Sequence, residues 1–253
     1  MRIASSFYLP ALSLILLFAS CTSEKEDLQI STTKDFFSLQ KGKYIIYRTD
    51  SLIFTQAGRS EETHSYQEKH LIDDQISDNL GRPAHRVFRL LRDAAGLQPW
   101  RPSGSYFITP LANTVEIIED NLRVIKLITP VKEGTTWKGN RFLSSDPYAQ
   151  KFNFSNDDGM GDWDFLIDST SKSLVLGGKK IEGVTTVSSV DESLNAPVTD
   201  AASFAARTLY LEKFAVGIGL VYQEYVMWEY QPNAGGTGYK VGFGVKRSMI
   251  DHN

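Results

Sequence analysis

The sequence predicts an all-β fold: an antiparallel, strongly curved sheet, or an incomplete barrel or sandwich, of about ten to twelve short strands with at most one short helix. Three observations favour it. Apolar and polar residues alternate with a period of two in many short runs, as in strands with one buried face. Glycine, proline and asparagine interrupt these runs along the whole chain. The runs follow one another too closely for the helical crossovers of a parallel sheet.

The C-terminal region has the clearest strand pattern. In residues 239–246, Tyr239, Val241, Phe243 and Val245 alternate with two lysines and two glycines. Residues 220–230 alternate in the same way, and the segment between the two runs is rich in glycine. We therefore expect an antiparallel hairpin at the C-terminus.

Shorter runs upstream predict the remaining strands. They fall at residues 43–48, 52–55, 66–76, 84–92, 105–108, 114–119, 122–128, 162–167, 174–176, 183–187 and 208–214. Asp120 and Asn121 form a candidate tight turn, because asparagine tolerates a positive φ. Residues 200–206 are the one candidate helix, since Asp200 could cap an alanine-rich turn, with a loop as the alternative.

The N-terminus has the three parts of a secretory signal peptide. Arg2 precedes an uncharged apolar run from Phe7 to Phe18, and small residues follow at Ala19 and Ser20. This run is too short for the roughly 20 residues of a membrane-spanning helix. We expect residues 1–20 to be a signal peptide, residues 21–35 a flexible tether, and residues 36–253 a single β-rich domain.

Cys21 is the predicted lipidation site. The residues Leu17-Phe18-Ala19-Ser20-Cys21 resemble the lipobox of bacterial lipoproteins, although Phe18 stands where that pattern prefers leucine. Cys21 is the chain's single cysteine, so it cannot close an intramolecular disulfide. The resemblance implies an outer-membrane lipoprotein with palmitate on Cys21, facing the periplasm or exposed on the cell surface. The membrane is then a partner through the lipid anchor.

Composition excludes some partners. The net charge is −3, and it becomes −4 after loss of residues 1–20, because Arg2 is the one charged side chain there. A mildly acidic chain lacks the basic surface that nucleic acid requires, so we expect no nucleic-acid partner.

Three segments resemble a pattern in uncharacterised Gram-negative envelope lipoproteins. They begin at Phe37 (FSLQKGKYIIY, like "FPLxxGxYWxY"), at Ile128 (ITPVKEGTTWKG, like "PLxxGxxW") and at Phe214 (FAVGIGLVY, like "GVGLVY"). Their order and spacing cover nearly the whole mature chain. The resemblance implies a β-rich envelope domain of unknown activity, and it supplies no catalytic residue.

Motifs for catalysis are missing from the sequence. It has no Gly-x-Ser-x-Gly elbow and no His-Glu-x-x-His, and its four histidines lack the spacing of metal ligands. We therefore predict no catalytic residue, no cofactor and no enzymatic activity.

The acidic loop 156–164 is the strongest metal candidate. Asp157, Asp158, Asp162 and Asp164 lie among glycines, and calcium prefers such carboxylate oxygens. The spacing differs from an EF-hand, and a solvated turn is the alternative interpretation.

The favoured function is a membrane-anchored binding or assembly-accessory module without enzymatic activity, whose partner is an envelope protein or an apolar ligand. Two alternatives stay open: an envelope hydrolase acting on glycans, and a carrier of lipid or another apolar ligand inside a curved sheet.

Overall fold

The fold is seen in a computed structural model that describes residues 32–253. Twelve strands in this range form one sheet, and every neighbouring pair is antiparallel. The strands are β1 (Tyr44–Thr55), β2 (Ser60–Ser77), β3 (Pro83–Asp93), β4 (Arg101–Pro110), β5 (Thr114–Glu119), β6 (Leu122–Ile128), β7 (Thr136–Lys138), β8 (Asp164–Leu176), β9 (Lys179–Leu194), β10 (Ala205–Ala215), β11 (Gly219–Gln231) and β12 (Tyr239–His252). The all-β prediction is confirmed.

The strand order brings the two ends of the domain together. The order is β6-β5-β4-β3-β2-β1-β12-β11-β10-β9-β8-β7, so the first and last strands pair in the middle of the sheet. Tyr47 of β1 lies opposite Met249 of β12. All other pairs join strands that are consecutive in the chain. The two edge strands, β6 and β7, are also consecutive in the chain, which brings the edges close to each other.

The edges of the sheet meet at a seam, which makes the fold a nearly closed barrel. The Ile125 amide of β6 donates to the carbonyl oxygen of Gly139, just after β7, over 2.8 Å. The Trp137 indole Nε1 donates to the Ile125 carbonyl oxygen over 2.9 Å. Gly139 allows this approach, because a Cβ there would lie 2.6 Å from the Phe165 ring.

Two predicted turns are confirmed. Strands β11 and β12 form the expected hairpin, with Tyr225 opposite Val245. Asp120 and Asn121 join β5 to β6 with φ values of 52° and 63°. Positive φ at both central residues is typical of the two-residue turns whose twist matches that of the strands.

Other element predictions were wrong in detail. The predicted strands 43–48 and 52–55 form one strand, β1, which begins at Tyr44, and residues 162–167 and 174–176 fall largely in β8. The sequence did not predict β7. The candidate helix at 200–206 is a turn that leads into β10, because Asp200 accepts bonds from the Ala202 amide and the Ser203 hydroxyl. No helix in residues 32–253 is long and apolar enough to cross a membrane.

The segment before β1 packs across one end of the barrel. Thr33–Phe36 is a 3-10 turn in which Thr33 and Phe36 are buried. The Gly217 amide donates to the Asp35 carbonyl oxygen over 2.7 Å, and the Gly42 amide donates to that of Ile72 over 2.9 Å. The packed region therefore begins slightly before residue 36, the expected domain boundary.

Candidate ligand-binding site

Two cavities lie inside the barrel and meet at a polar cluster. The first chamber has a volume of about 80 Å³ and the second about 330 Å³. Five residues line both cavities: Ile117, Glu119, Lys126, Gln223 and Arg247. The two chambers therefore adjoin inside the barrel.

The first chamber has a largely apolar wall. Strands from both halves of the sheet and the segment before β1 contribute to it. The apolar lining residues are Phe37, Leu39, Ile45, Tyr47, Ile72, Val87, Tyr106, Ile108, Ile117, Phe214, Ile218 and Leu220. Its mouth is polar and partly exposed, and it is formed by Ser38, Lys43, Tyr44, His252 and Asn253.

Glu68 and Arg247 form the first half of the polar cluster. Arg247 Nε donates to Glu68 Oε2 over 2.8 Å, and Thr49 Oγ1 donates to the same oxygen over 3.2 Å. Burial raises the pKa of the Glu68 carboxyl, but Arg247 and His70 outweigh burial and hold that pKa well below its usual range. Glu68 is therefore a permanent anion whose charge Arg247 compensates.

Glu212, Lys126 and Gln223 form the second half of the polar cluster. Glu212 Oε1 accepts from Lys126 Nζ and from Gln223 Nε2, each over 2.7 Å. Lys126 also donates to the Tyr210 hydroxyl. The Gln223 side-chain oxygen accepts in turn from Arg247, so one chain of bonds joins Glu212 to Glu68.

The tyrosine hydroxyls around the cluster stay neutral. Burial raises the pKa of the Tyr106 and Tyr210 hydroxyls well above the usual range. His70 Nδ1 lies 3.0 Å from the Tyr106 hydroxyl oxygen, and the His70 ring packs edge-on against Tyr47. These groups can donate and accept hydrogen bonds at neutral pH without adding an anion.

The second chamber is covered by the long connection between β7 and β8, residues 139–163. Ser155 anchors it, since its amide and hydroxyl both donate to Glu229 Oε1 over 2.6 Å. Tyr148 also reaches into the barrel, where its hydroxyl lies 3.1 Å from that of Tyr225. Burial raises the pKa of Tyr148 to about 12. Beside this chamber the Phe152 ring stacks on Phe243, and the Tyr148 ring packs edge-on against Phe243.

The structure does not bring the four calcium candidates together. Asp157 is fully buried, and its Oδ2 accepts from the Tyr148 amide over 3.0 Å. Asp158, Asp162 and Asp164 are exposed, and Asp164 pairs with Lys138 over 2.9 Å. Within residues 32–253, no three Asp, Glu, His or Cys side chains are grouped as metal ligands. Asp157 instead holds the covering segment in shape.

Sequence reasoning missed the polar cluster. Glu212 stands between Tyr210 and Phe214 in an alternating run, and Arg247 stands between Val245 and Met249. Each is a charged residue at a position of an alternating run that should face the barrel interior, and this pattern could have predicted the cluster. The predicted lipidation site Cys21 lies outside the described residues.

Comparisons of the chain with protein-family models, with curated proteins and with solved structures gave no match. The resemblance to envelope lipoproteins stays a prediction, and function must be argued from geometry.

Proposed function

We propose that this chain is a membrane-anchored envelope lipoprotein whose barrel binds a small amphipathic ligand in its first chamber. The observation that carries the proposal is the distribution of polarity in that chamber. Its wall is apolar, its mouth is partly exposed, and the cluster of Glu212, Lys126 and Arg247 lies at its inner end. Apolar pockets with a few convergent polar groups are typical of small-molecule sites.

The position of the N-terminal segment supports a role at a membrane. Phe37, Ser38 and Leu39 line the first chamber, so the chain enters the barrel at the end where this chamber opens. Eleven Cα–Cα steps separate Cys21 from Thr32. At most they span roughly 40 Å, at ~3.3–3.6 Å per residue. A lipid on Cys21 would therefore keep the mouth of the first chamber near the bilayer, where amphipathic ligands are concentrated.

The hydrolase alternative gains less support. Glycoside hydrolysis needs a carboxyl group with a raised pKa to act as an acid. In the polar cluster, Glu68 has a lowered pKa, and Glu212 accepts from Lys126 and Gln223. Both carboxylates serve the internal bonding of the barrel. Asp157 has a raised pKa, but it is fully buried and lines neither chamber.

Fluorescence of a neutral apolar probe, N-phenyl-1-naphthylamine, tests binding by residues 22–253. We expect saturable enhancement for the wild type and loss of it in Ser38→Trp, which places an indole at the mouth. Gln40→Trp is the matched control, because Gln40 is exposed and does not line the chamber. Absence of saturable binding, or equal binding by both variants, would contradict the proposal. Native mass spectrometry of the purified domain would detect a co-purified ligand.

The anchor is tested separately in the full chain. Palmitate labelling in a Gram-negative host should occur in the wild type and be lost in Cys21→Ser. Labelling that persists in this variant would refute lipidation at Cys21.

A further inference from the structure

We infer that the ligand of the first chamber is a neutral aliphatic amphiphile with a hydroxyl head, which donates a hydrogen bond to Glu212. This inference rests on the proposed function and names the chemistry of the ligand. It begins from Glu212 and His70, two residues that line the chamber and carry buried polar atoms without a hydrogen-bond partner, Glu212 Oε2 and His70 Nε2.

Glu212 is the stronger of the two observations. Only 1% of the residue is exposed, and both of its described donors, Lys126 and Gln223, bond to Oε1. Oε2 faces no donor in the described chain. A buried carboxylate oxygen without a partner is destabilising, so native proteins seldom keep one unless something else bonds to it. A donor on a bound ligand supplies the missing bond.

His70 adds a second polar atom without a hydrogen bond, its Nε2, in the same chamber. The residue is 8% exposed, and its Nδ1 lies beside the Tyr106 hydroxyl. Its Nε2 lies 3.2 Å from Glu68 Oε1 and makes no hydrogen bond. A hydroxyl can both donate and accept, so it suits a chamber that offers a carboxylate oxygen and an imidazole nitrogen.

The charges of the polar cluster are already balanced, which favours a ligand with a neutral head group over one with a charged head group. Three carboxylates, Glu68, Glu119 and Glu212, lie in the cluster with three cations, Arg89, Lys126 and Arg247. Each carboxylate already contacts a cation. An added carboxylate or ammonium would be an uncompensated charge in a buried site, which is strongly unfavourable. A hydroxyl avoids this cost.

The apolar wall accounts for the rest of the ligand. With the hydroxyl at Glu212, an aliphatic chain would run past Ile72, Val87 and Ile108 toward the mouth at Ser38. In this orientation the apolar end leaves the barrel on the side of the predicted tether. A bilayer can therefore supply the ligand directly.

Displacement of bound N-phenyl-1-naphthylamine tests this inference with four ten-carbon compounds. They are decan-1-ol, its methyl ether, decanoate and decylammonium. The alcohol should displace the probe at about tenfold lower concentration than the ether, which lacks the donor, and than either charged compound. Equal potency of alcohol and ether, or tighter binding of a charged compound, would overturn the inference. Failure of the probe to bind would instead contradict the proposed function itself.

Variants show whether Glu212 is the acceptor. In Glu212→Gln combined with Lys126→Met, which keeps the charge balance, the alcohol should lose its tenfold advantage while the probe still binds. Glu224→Gln is the matched control, because Glu224 lies on the neighbouring strand β11 and lines neither chamber. Thermal unfolding confirms that each variant is folded. If the double variant does not fold, His70→Phe provides a second test with a smaller expected loss. If the folded variants still prefer the alcohol to the same degree, the ligand hydroxyl does not donate to Glu212 Oε2, and the inference is wrong.

Discussion

The Trp137 indole donates a hydrogen bond to the carbonyl oxygen of Ile125 across 2.9 Å, and this bond ties together the two edges of the sheet. Strand β7 has only three residues, so it offers few backbone bonds of its own. The indole therefore supplies part of the closure that a longer strand would give. It also packs against Phe165, with 5.7 Å between the ring centroids.

Trp137→Phe should weaken the seam while keeping an aromatic ring in the core. The Ile125 carbonyl oxygen would lose its indole donor in a buried position, so we expect a loss of about 1–3 kcal/mol in the free energy of unfolding. Urea unfolding at neutral pH measures it. Trp100→Phe is the control, because Trp100 is half-exposed and stacks on Arg92. Equal losses in the two variants would show that the indole bond does not matter.

Arg247→Met should change both the stability and its dependence on pH. Removing the guanidinium leaves Glu68 buried without its main counter-charge, and we expect a loss of about 3–5 kcal/mol at pH 7. In the wild type the pKa of Glu68 is lowered, so its contribution is present above the usual carboxyl pKa and is lost as the pH falls below it. In the variant, burial dominates and raises that pKa.

The stability of Arg247→Met should therefore fall as the pH rises from about 5 to about 8, opposite to the carboxylate effect in the wild type. Urea unfolding across this range measures the slope. Adding Glu68→Gln should recover most of the loss. If the two substitutions simply add, the residues are not coupled.

Much of the fold could be predicted from the sequence because its signals are local. Alternation identified eleven of the strand regions, and Asp120-Asn121 identified a turn. Strand β7 escaped prediction because three residues cannot show a period. Its place is fixed by Trp137 and by contacts with Ile125, which only the closed barrel brings together.

Much less of the candidate site could be predicted from the sequence. Lys126 and Glu212 are 86 residues apart, and nothing in one sequence shows that β6 and β10 face each other across a barrel. The acidic loop was conspicuous in the sequence, yet Asp157 is the buried member of that loop and bonds to Tyr148. Local composition cannot reveal which carboxylate of a loop faces inward.

Asp157→Asn should reduce the pH dependence of stability. Burial raises the pKa of Asp157 to about 6, and nearby Asp146 adds to the rise. An acid with a raised pKa in the folded state gives stability at low pH that is lost as the pH rises through that pKa. Relative to the wild type, the variant should therefore gain on the order of 2 kcal/mol between about pH 4 and pH 7. Urea unfolding at both values measures this. Asp158→Asn, at an exposed neighbour, should show no such gain.

Glu229→Ala should release the segment that covers the second chamber. Glu229 is 1% exposed and accepts both bonds from Ser155, so its loss leaves that segment without a main anchor. Brief trypsin treatment should then cut after Arg141 or Lys151 about tenfold faster than in the wild type, because local opening becomes easier. Glu224→Ala, on the outer face of the same strand, is the control. Cleavage confined to residues 139–163 would distinguish local release from global unfolding. Unchanged cleavage, with the barrel still folded, would mean that Tyr148 and Asn156 hold the segment without Glu229.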